Sequence, residues 1–283
     1  MAIISLKDVS YQYPLEKHEA IKDFSYDFER GTVYGLIGAN ESGKTTLCNI
    51  IRGFIPTLYR GELKGEILIN NKNISDYSLG ELSEIIGYSF QNPFSQISGV
   101  KDNVYEEIAF GMENIGMQRE DMIKKVDELV EMFNLEKLVN KNPYELSGGQ
   151  KQRVSLASVI ALNPEIIILD EPTSQLDPKS TEDIFNVVNL LKKQGKTIIL
   201  IEHKIDLIAE YCDNILLMSN GTLAIEGTVS SVLTNPSVLE NGGQLTQIAL
   251  FFLELNKQLE CKYQNIPLTV MDAYHMMKGA YRR

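Results

Sequence analysis

An apolar run, Thr32-Val33-Tyr34-Gly35-Leu36-Ile37, leads into Gly38-Ala39-Asn40-Glu41-Ser42-Gly43-Lys44-Thr45, and a helical pattern follows from Lys44 to Arg52 with Gly53 at its end. The octapeptide fits G-x-x-x-x-G-K-[ST] in the setting that gives the pattern meaning, after a strand and before a helix. Its glycines let the backbone curl so that N–H groups surround a β-phosphate, Lys44 supplies a mobile cation, and the Thr45 hydroxyl reaches Mg²⁺. Glu41 is out of place by this logic. A carboxylate about 4 Å from a phosphate would cost on the order of 4 kcal/mol per unit-charge pair at an effective dielectric of 20. Glu41 is therefore expected to point to solvent and to serve the loop through its backbone alone.

A second stretch, from Pro143 to Pro178, complements the first. It reads Leu146-Ser147-Gly148-Gly149-Gln150, then a helix-like run to Leu162, then Ile166-Ile167-Ile168-Leu169-Asp170-Glu171-Pro172. A serine before two glycines at a helix start leaves free backbone N–H groups that can hold an anion. The apolar run ends in two carboxylates, as a buried strand does when it delivers charge to the rim of a sheet. One half offers to bind phosphate, and the other offers a magnesium contact and a base. The same pattern also fits a strand that simply meets solvent, so the functional reading depends on the upstream loop.

The remaining segments indicate an α/β protein. Ile4 and Leu6 alternate with Ser5 and Lys7, and Phe24, Tyr26 and Phe28 alternate with Ser25, Asp27 and Glu29, which reads as an antiparallel β layer. Tyr11 and Tyr13 fall on one face. Tyr13, next to Pro14, is placed either as an edge-strand tyrosine on the core or free of the sheet. Gly65 to Ile74, with Asn70-Asn71, reads as a strand and hairpin turn, and Ile85 to Phe90 as a strand ending at Gln91, by position alone a polar terminus. Met122, Val126, Leu129, Val130 and Phe133 recur at helical spacing within an α-helical insertion between Gln91 and about Leu162. Pro178 can start a helix running toward Lys192. Thr197 to Ile201 is another apolar strand, followed by Glu202-His203, where position alone makes His203 a surface residue. Ile215 to Met218 and Leu223 to Ile225 flank Asn220-Gly221, a strong hairpin signal. Beyond Asn235-Pro236 the alternation stops, leaving helices expected over Leu245–Leu259 and Pro267–Lys278. This tail is too small for a core of its own and must pack on the main domain or on a second copy.

The chain has 283 residues and a formal charge of -11, which disfavours non-specific wrapping of nucleic acid. No apolar run approaches the ~20 residues of a membrane-spanning helix, and Met1 to Ser5 lacks a signal-peptide layout. A cytosolic protein is expected, with Cys48, Cys212 and Cys261 as free thiols rather than a metal set.

The ordered set of motifs resembles the nucleotide-binding subunit of an ABC transporter over about Ile4 to Val229. The resemblance implies an α/β fold: a P-loop NTPase core of ABC type with an antiparallel β layer, an inserted α-helical subdomain and a small C-terminal helical appendage. The implied domains are 1-235, with the helical insertion at about 92-162, and 236-283 as a possible dimerisation element. Tyr13 becomes an adenine-stacking aromatic, with Gly38, Ala39, Asn40, Glu41, Ser42, Gly43, Lys44, Thr45 and Thr46 around the nucleotide. Gln91 becomes a magnesium and water contact, Asp170 a partner of the metal's water, Glu171 the general base and His203 a γ-phosphate contact. Thr45, Gln91 and Asp170 are thus the implied Mg²⁺ set. Ser147, Gly148, Gly149 and Gln150 form the signature that faces ATP held by a second ABC ATPase subunit, and Ser174 and Asp177 belong to the loop between the subunits.

Gln91-Asn92-Pro93 with Gln96, Ser174-Gln175-Leu176-Asp177-Pro178 and Ile266-Pro267-Leu268-Thr269-Val270 are similar to the ATPases of energy-coupling-factor transporters, which import vitamins or transition-metal ions. That likeness implies transmembrane transporter subunits as partners, no nucleic acid, and a peripheral position on the cytoplasmic face of the cell membrane. Two alternatives stand beside it. One is the ATPase of another ABC transporter type. The other is a soluble ABC ATPase acting on DNA or ribosomes, which the Asn40-Glu41-Ser42-Gly43-Lys44 run also resembles. A subunit that binds ATP without hydrolysing it is not favoured, since Glu171 and His203 are both present.

Overall fold

The computed structural model describes residues 1–174, 176–258 and 263–280. Gln175, Leu259 and Cys261, to which expectations were attached, lie outside the described residues. The chain forms two compact units, Met1–Ile74 with Leu200–Arg283, and Ser75–Ile199.

In the first unit, β1 (Ala2–Gln12) pairs antiparallel with β2 (Ile21–Glu29). Phe24 and Phe28 are buried while Asp23, Ser25, Asp27 and Glu29 are exposed, the period-two pattern of a half-buried sheet. Next come β3 (Val33–Ile37), buried at every position, α1 (Lys44–Ile51) and a short kinked segment, α2 (Phe54–Thr57). β4 (Glu62–Ile69) and β5 (Lys72–Asn73) join through Asn70 and Asn71. Both asparagines adopt positive φ, 52° and 62°, as the tight hairpin requires. The four antiparallel strands lie in the order β2-β1-β4-β5. β4 begins at Glu62 rather than at Gly65 because its residues 62–64 pair with Gln12, Tyr11 and Ser10.

The second unit holds α3 (Leu79–Ile85), β6 (Ile86–Ser89), α4 (Val104–Asn114), α5 (Arg119–Met132), α6 (Gly148–Ala161), β7 (Ile166–Asp170) and α7 (Pro178–Lys193). β6 runs parallel to β7, from Ile86 opposite Ile166 to Ser89 opposite Leu169. Ile166, Ile167, Ile168 and Leu169 are all fully buried, which explains an unbroken apolar run in place of alternation. α4, α5 and α6 pack together, with Val126, Leu129 and Val130 on the buried stripe of α5.

β8 (Thr197–Ile201) leads from the second unit back into the first. It is followed by α8 (Ile205–Tyr211), β9 (Asn214–Ser219), β10 (Thr222–Thr228), α9 (Val229–Leu233), α10 (Ser237–Glu240), α11 (Gln247–Gln258) and α12 (Val270–Ala280). β9 pairs parallel with β3 and antiparallel with β10 through Asn220-Gly221. Both tail helices start later than the apolar pattern implies, because a threonine caps each. The Thr246 hydroxyl accepts from the Ala249 N–H at 3.1 Å, and that of Thr269 from the Asp272 N–H at 3.1 Å. Cys48 and Cys212 are buried and in no disulfide.

Ile168→Ala removes most of a side chain from the fully buried β7 and should cost about 2–5 kcal/mol. Chemical denaturation followed by circular dichroism will show this as a lower midpoint for the Ile168→Ala protein than for the native chain.

Candidate functional site

The turn from β3 into α1 is possible only with glycine at its first position. Gly38 has φ 145°, and a Cβ there would stand 2.3 Å from the Met218 carbonyl oxygen on β9. Gly43 caps α1 with φ 106°, and no side chain caps the helix, whose first turn contains no acidic residue. The first N–H groups of α1 are thus the kind of donors that accept an anion. Lys44 is buried, and its Nζ donates to the Gly38 and Ala39 carbonyls at 2.9 and 2.7 Å. A phosphate would compete with these neutral acceptors for the ammonium, and a bond to an anion is the stronger one. Glu41 is exposed and takes a left-handed φ of 64°, which for a residue with a Cβ is a small local cost.

A cavity of about 970 Å³ opens on one side of this loop, lined by Tyr13, Glu41, Gly43, Lys44, Thr45 and Thr46 among others. Tyr13 lies just beyond the end of β1 and is half-buried. Its ring stands roughly perpendicular to that of Tyr11, with centroids 4.8 Å apart, and its hydroxyl lies 3.1 Å from the Thr46 Oγ1. Tyr11, by contrast, is fully buried and donates to the Arg60 carbonyl at 2.8 Å; burial pushes its pKa up. Tyr11 is the core tyrosine, and Tyr13 faces the cavity. Thr45 is exposed there.

A second cavity, about 550 Å³, is lined by Ile37, Gly38, Ala39, Asn40, Glu202, His203 and Ile205, together with Gly242, Gly243 and Gln244 from the tail. His203 is exposed, just after β8. The structure thus joins the phosphate loop to Tyr13 through one cavity and to His203 through another.

In the second unit, Gln91 Nε2 donates to Glu171 Oε2 at 2.6 Å. The Tyr88 hydroxyl donates to Asp170 Oδ2 at 2.5 Å. Glu171 has φ 46°, a left-handed backbone at the residue where the strand gives way to a loop. Ser147 caps α6 through a box in which its hydroxyl accepts from the Gln150 N–H while the Gln150 side chain accepts from the Ser147 N–H. Gln150 therefore holds the helix start, a role that the S-x-x-Q spacing signals. Beside Gly148, where a side chain would begin, there is open space, whereas a Cβ on Gly149 would lie 3.2 Å from the Ser180 hydroxyl. Asp177 caps α7 by accepting from the Ser180 hydroxyl and N–H, and these bonds hold its carboxyl below the usual range. Ser174 is exposed.

Among the described residues no group of three or more His, Cys, Asp or Glu side chains forms a metal cage. The Thr45 hydroxyl, Gln91 amide and Asp170 carboxylate are all hard oxygen donors. By donor type they fit Mg²⁺, which takes few protein ligands and completes its shell with water and substrate phosphates.

The ABC transporter family matches residues 21–174. A protein of Pyrococcus horikoshii described as an ABC transporter ATP-binding protein is 34% identical over 285 residues, spanning 100% of this chain and 99% of its own. The chain belongs to the ABC transporter ATP-binding family. A similar protein of Pyrococcus abyssi is 38% identical over 244 residues, 86% of each chain. Among solved structures, CbiO1 of Clostridium perfringens, part of the ABC transporter complex CbiONQ, is 31% identical with a TM-score of 0.75, covering 92% of this chain and 99% of that one. A dimeric ATP-binding cassette in a post-hydrolysis state, bound to ADP and Pi, is 29% identical with a TM-score of 0.69 over 80% of this chain and 98% of its own. The fold is that of an ABC-type P-loop ATPase, and the activity is ATP hydrolysis in transport. No helix among the described residues is long and apolar enough to cross a membrane. The relatives set aside an ATPase acting on DNA or ribosomes.

Since Glu41 is exposed and strained only in its backbone, Glu41→Gly should raise stability by up to about 1 kcal/mol. Calorimetric titration should find ATP affinity within tenfold of the native value. A hundredfold gain in affinity would show instead that the carboxylate opposes the phosphates.

Proposed function

We propose that this chain is the ATP-hydrolysing subunit of an energy-coupling-factor importer for a vitamin or a transition-metal ion. The observation that carries the reading is the extent of the likeness to CbiO1. The 8% of the chain left uncovered is fewer residues than the 48 that follow Asn235, so the match reaches into the tail. The dimeric cassette covers only 80%. The core is 1-235, with a helical insertion at about 92-162, and residues 236-283 form an appendage that helps hold a dimer. The partners are a second ABC ATPase subunit and transmembrane transporter subunits, which place the chain at the cytoplasmic face of the membrane.

Within this reading, Tyr13 stacks on adenine, residues 38–46 hold the phosphates, and Ser147, Gly148, Gly149 and Gln150 serve the ATP of the opposite subunit, with Ser174 and Asp177 in the loop between subunits. Glu171 is the general base, Gln91 orients it through their 2.6 Å bond, and His203 contacts the γ-phosphate. Thr45, Gln91 and Asp170 would hold Mg²⁺, Asp170 through water. When bound, the ion neutralises phosphate charge. Donors aimed at developing charge act only when all are in place, so a lone subunit hydrolyses ATP poorly.

Affinity purification from detergent-solubilised cells tests the assignment. Recovery of a common transmembrane protein together with small hydrophobic substrate-binding proteins is expected, whereas recovery of only soluble partners would remove it. Glu171→Gln should retain ATP and elute as a dimer on a sizing column with saturating ATP and Mg²⁺; a monomer would mean that the signature of one subunit does not close on the ATP of the other. Lys44→Ala should reduce ATP binding at least a hundredfold by calorimetry, and near-native affinity would show that the loop is not the phosphate cradle.

A further inference from the structure

The cavity that holds His203 is built partly from the tail. Gly242 has φ 77°, and a Cβ on it would lie 3.4 Å from the Ala39 Cβ, so the tail backbone approaches the phosphate loop directly. The approach is fixed from behind. A Cβ on Gly243 would meet Val238 Cγ1 at 2.7 Å and Leu217 Cδ1 at 3.0 Å, and Val238, Leu245 and Thr246 are buried. Thr246 in turn caps α11. The short loop 241–244 is therefore a rigid wall of the cavity and the direct link from the phosphate loop to the tail helices.

The two cavities lie on different parts of the loop, which orients a bound nucleotide. Tyr13 lines the one that contains Gly43 to Thr46, and His203 the one that contains Gly38 to Asn40. With the base on Tyr13, the phosphates run along the loop, and the last of them lies toward His203. This rests on the assignment of Tyr13 and His203 in the proposed function.

We infer that Gln244 is a further nucleotide-binding residue, a tail side chain that hydrogen-bonds the γ-phosphate and lets the tail distinguish ATP from ADP. The neighbouring donors of residues 241–243 are already committed. The Gly242 N–H donates to the Leu239 carbonyl at 3.2 Å, the Gly243 N–H to the Val238 carbonyl at 2.9 Å, and Asn241 Nδ2 to the Ser237 carbonyl at 2.9 Å. Gln244 is exposed and lines the cavity, and its amide is the donor the loop retains for a ligand. The need for a neutral donor is plain from the charges in the wall. Glu202, a buried acidic residue, is part of this lining, which contains neither lysine nor arginine. An amide adds a bond to the phosphate without adding a second carboxylate. A hydrogen bond to a charged group contributes enough for about a tenfold change in affinity.

The test is the selectivity between adenylyl imidodiphosphate and ADP, measured by calorimetry on the full chain with Mg²⁺. Gln244→Ala should weaken the analogue about tenfold and ADP less than twofold, and Gln244→Glu should weaken the analogue further by placing a second carboxylate in the wall. A merely structural role would shift both ligands together, and equal shifts or no shift in either would overturn the inference. His203→Ala separates this from the broader assignment. If His203→Ala loses selectivity while Gln244→Ala keeps it, the tail residue is misassigned and the site stands. If Gln244→Ala alone loses selectivity, the tail contact stands and the role of His203 falls. If both variants keep native selectivity, neither residue reaches the γ-phosphate.

Discussion

The Met218 carbonyl oxygen occupies the space where a side chain at position 38 would begin, and much of the first unit follows from that contact. It presses the turn after β3 against β9, the strand that pairs with β3. Two backbone bonds extend the clamp. The Gly221 N–H donates to the Ser42 carbonyl at 3.0 Å, and the Lys22 N–H donates to the Gly221 carbonyl at 2.8 Å. The phosphate loop is thus tied to the hairpin of β9 and β10, and through it to β2. Gly221 itself has no room for a side chain, since a Cβ would lie 2.7 Å from the Ala20 carbonyl. A loop held on both sides by backbone keeps its N–H groups oriented before any ligand arrives, which is the condition under which such groups bind charge well.

Much of this was legible because it repeats with a short period or carries a local signal. The β7 run, the alternation in β2, the stripe on α5 and the Asn-Gly hairpin all report a face or a turn that neighbours in sequence determine. The phosphate loop was legible for the same reason, since its chemistry lies within eight consecutive residues. α3 escaped notice although Ser78 and Glu81 form a capping box, because so short a helix adds little periodicity to that signal. The starts of α11 and α12 were misjudged where Thr246 and Thr269 interrupt an apolar pattern that continues past the cap. Pairings between distant positions were beyond reach. Nothing local in the sequence links Tyr13 to Thr46, or Gly242 to Ala39, because these meetings depend on how strands and loops are stacked.

Several of the groups expected to handle phosphate or magnesium are engaged with the protein itself. Lys44 is bonded to carbonyls of its own loop, Gln91 to Glu171, and Asp170 to Tyr88. Each bond restrains a polar group that would otherwise hold water and sample many rotamers, so less entropy is lost when a ligand is bound. Each bond also has to be exchanged or kept when charge arrives, and this limits the net gain from any one contact. A nucleotide bound by such groups depends on the sum of many small differences. Those differences favour whichever state engages the most of these groups together, and that state is the one in which the γ-phosphate and every donor meant for it are present.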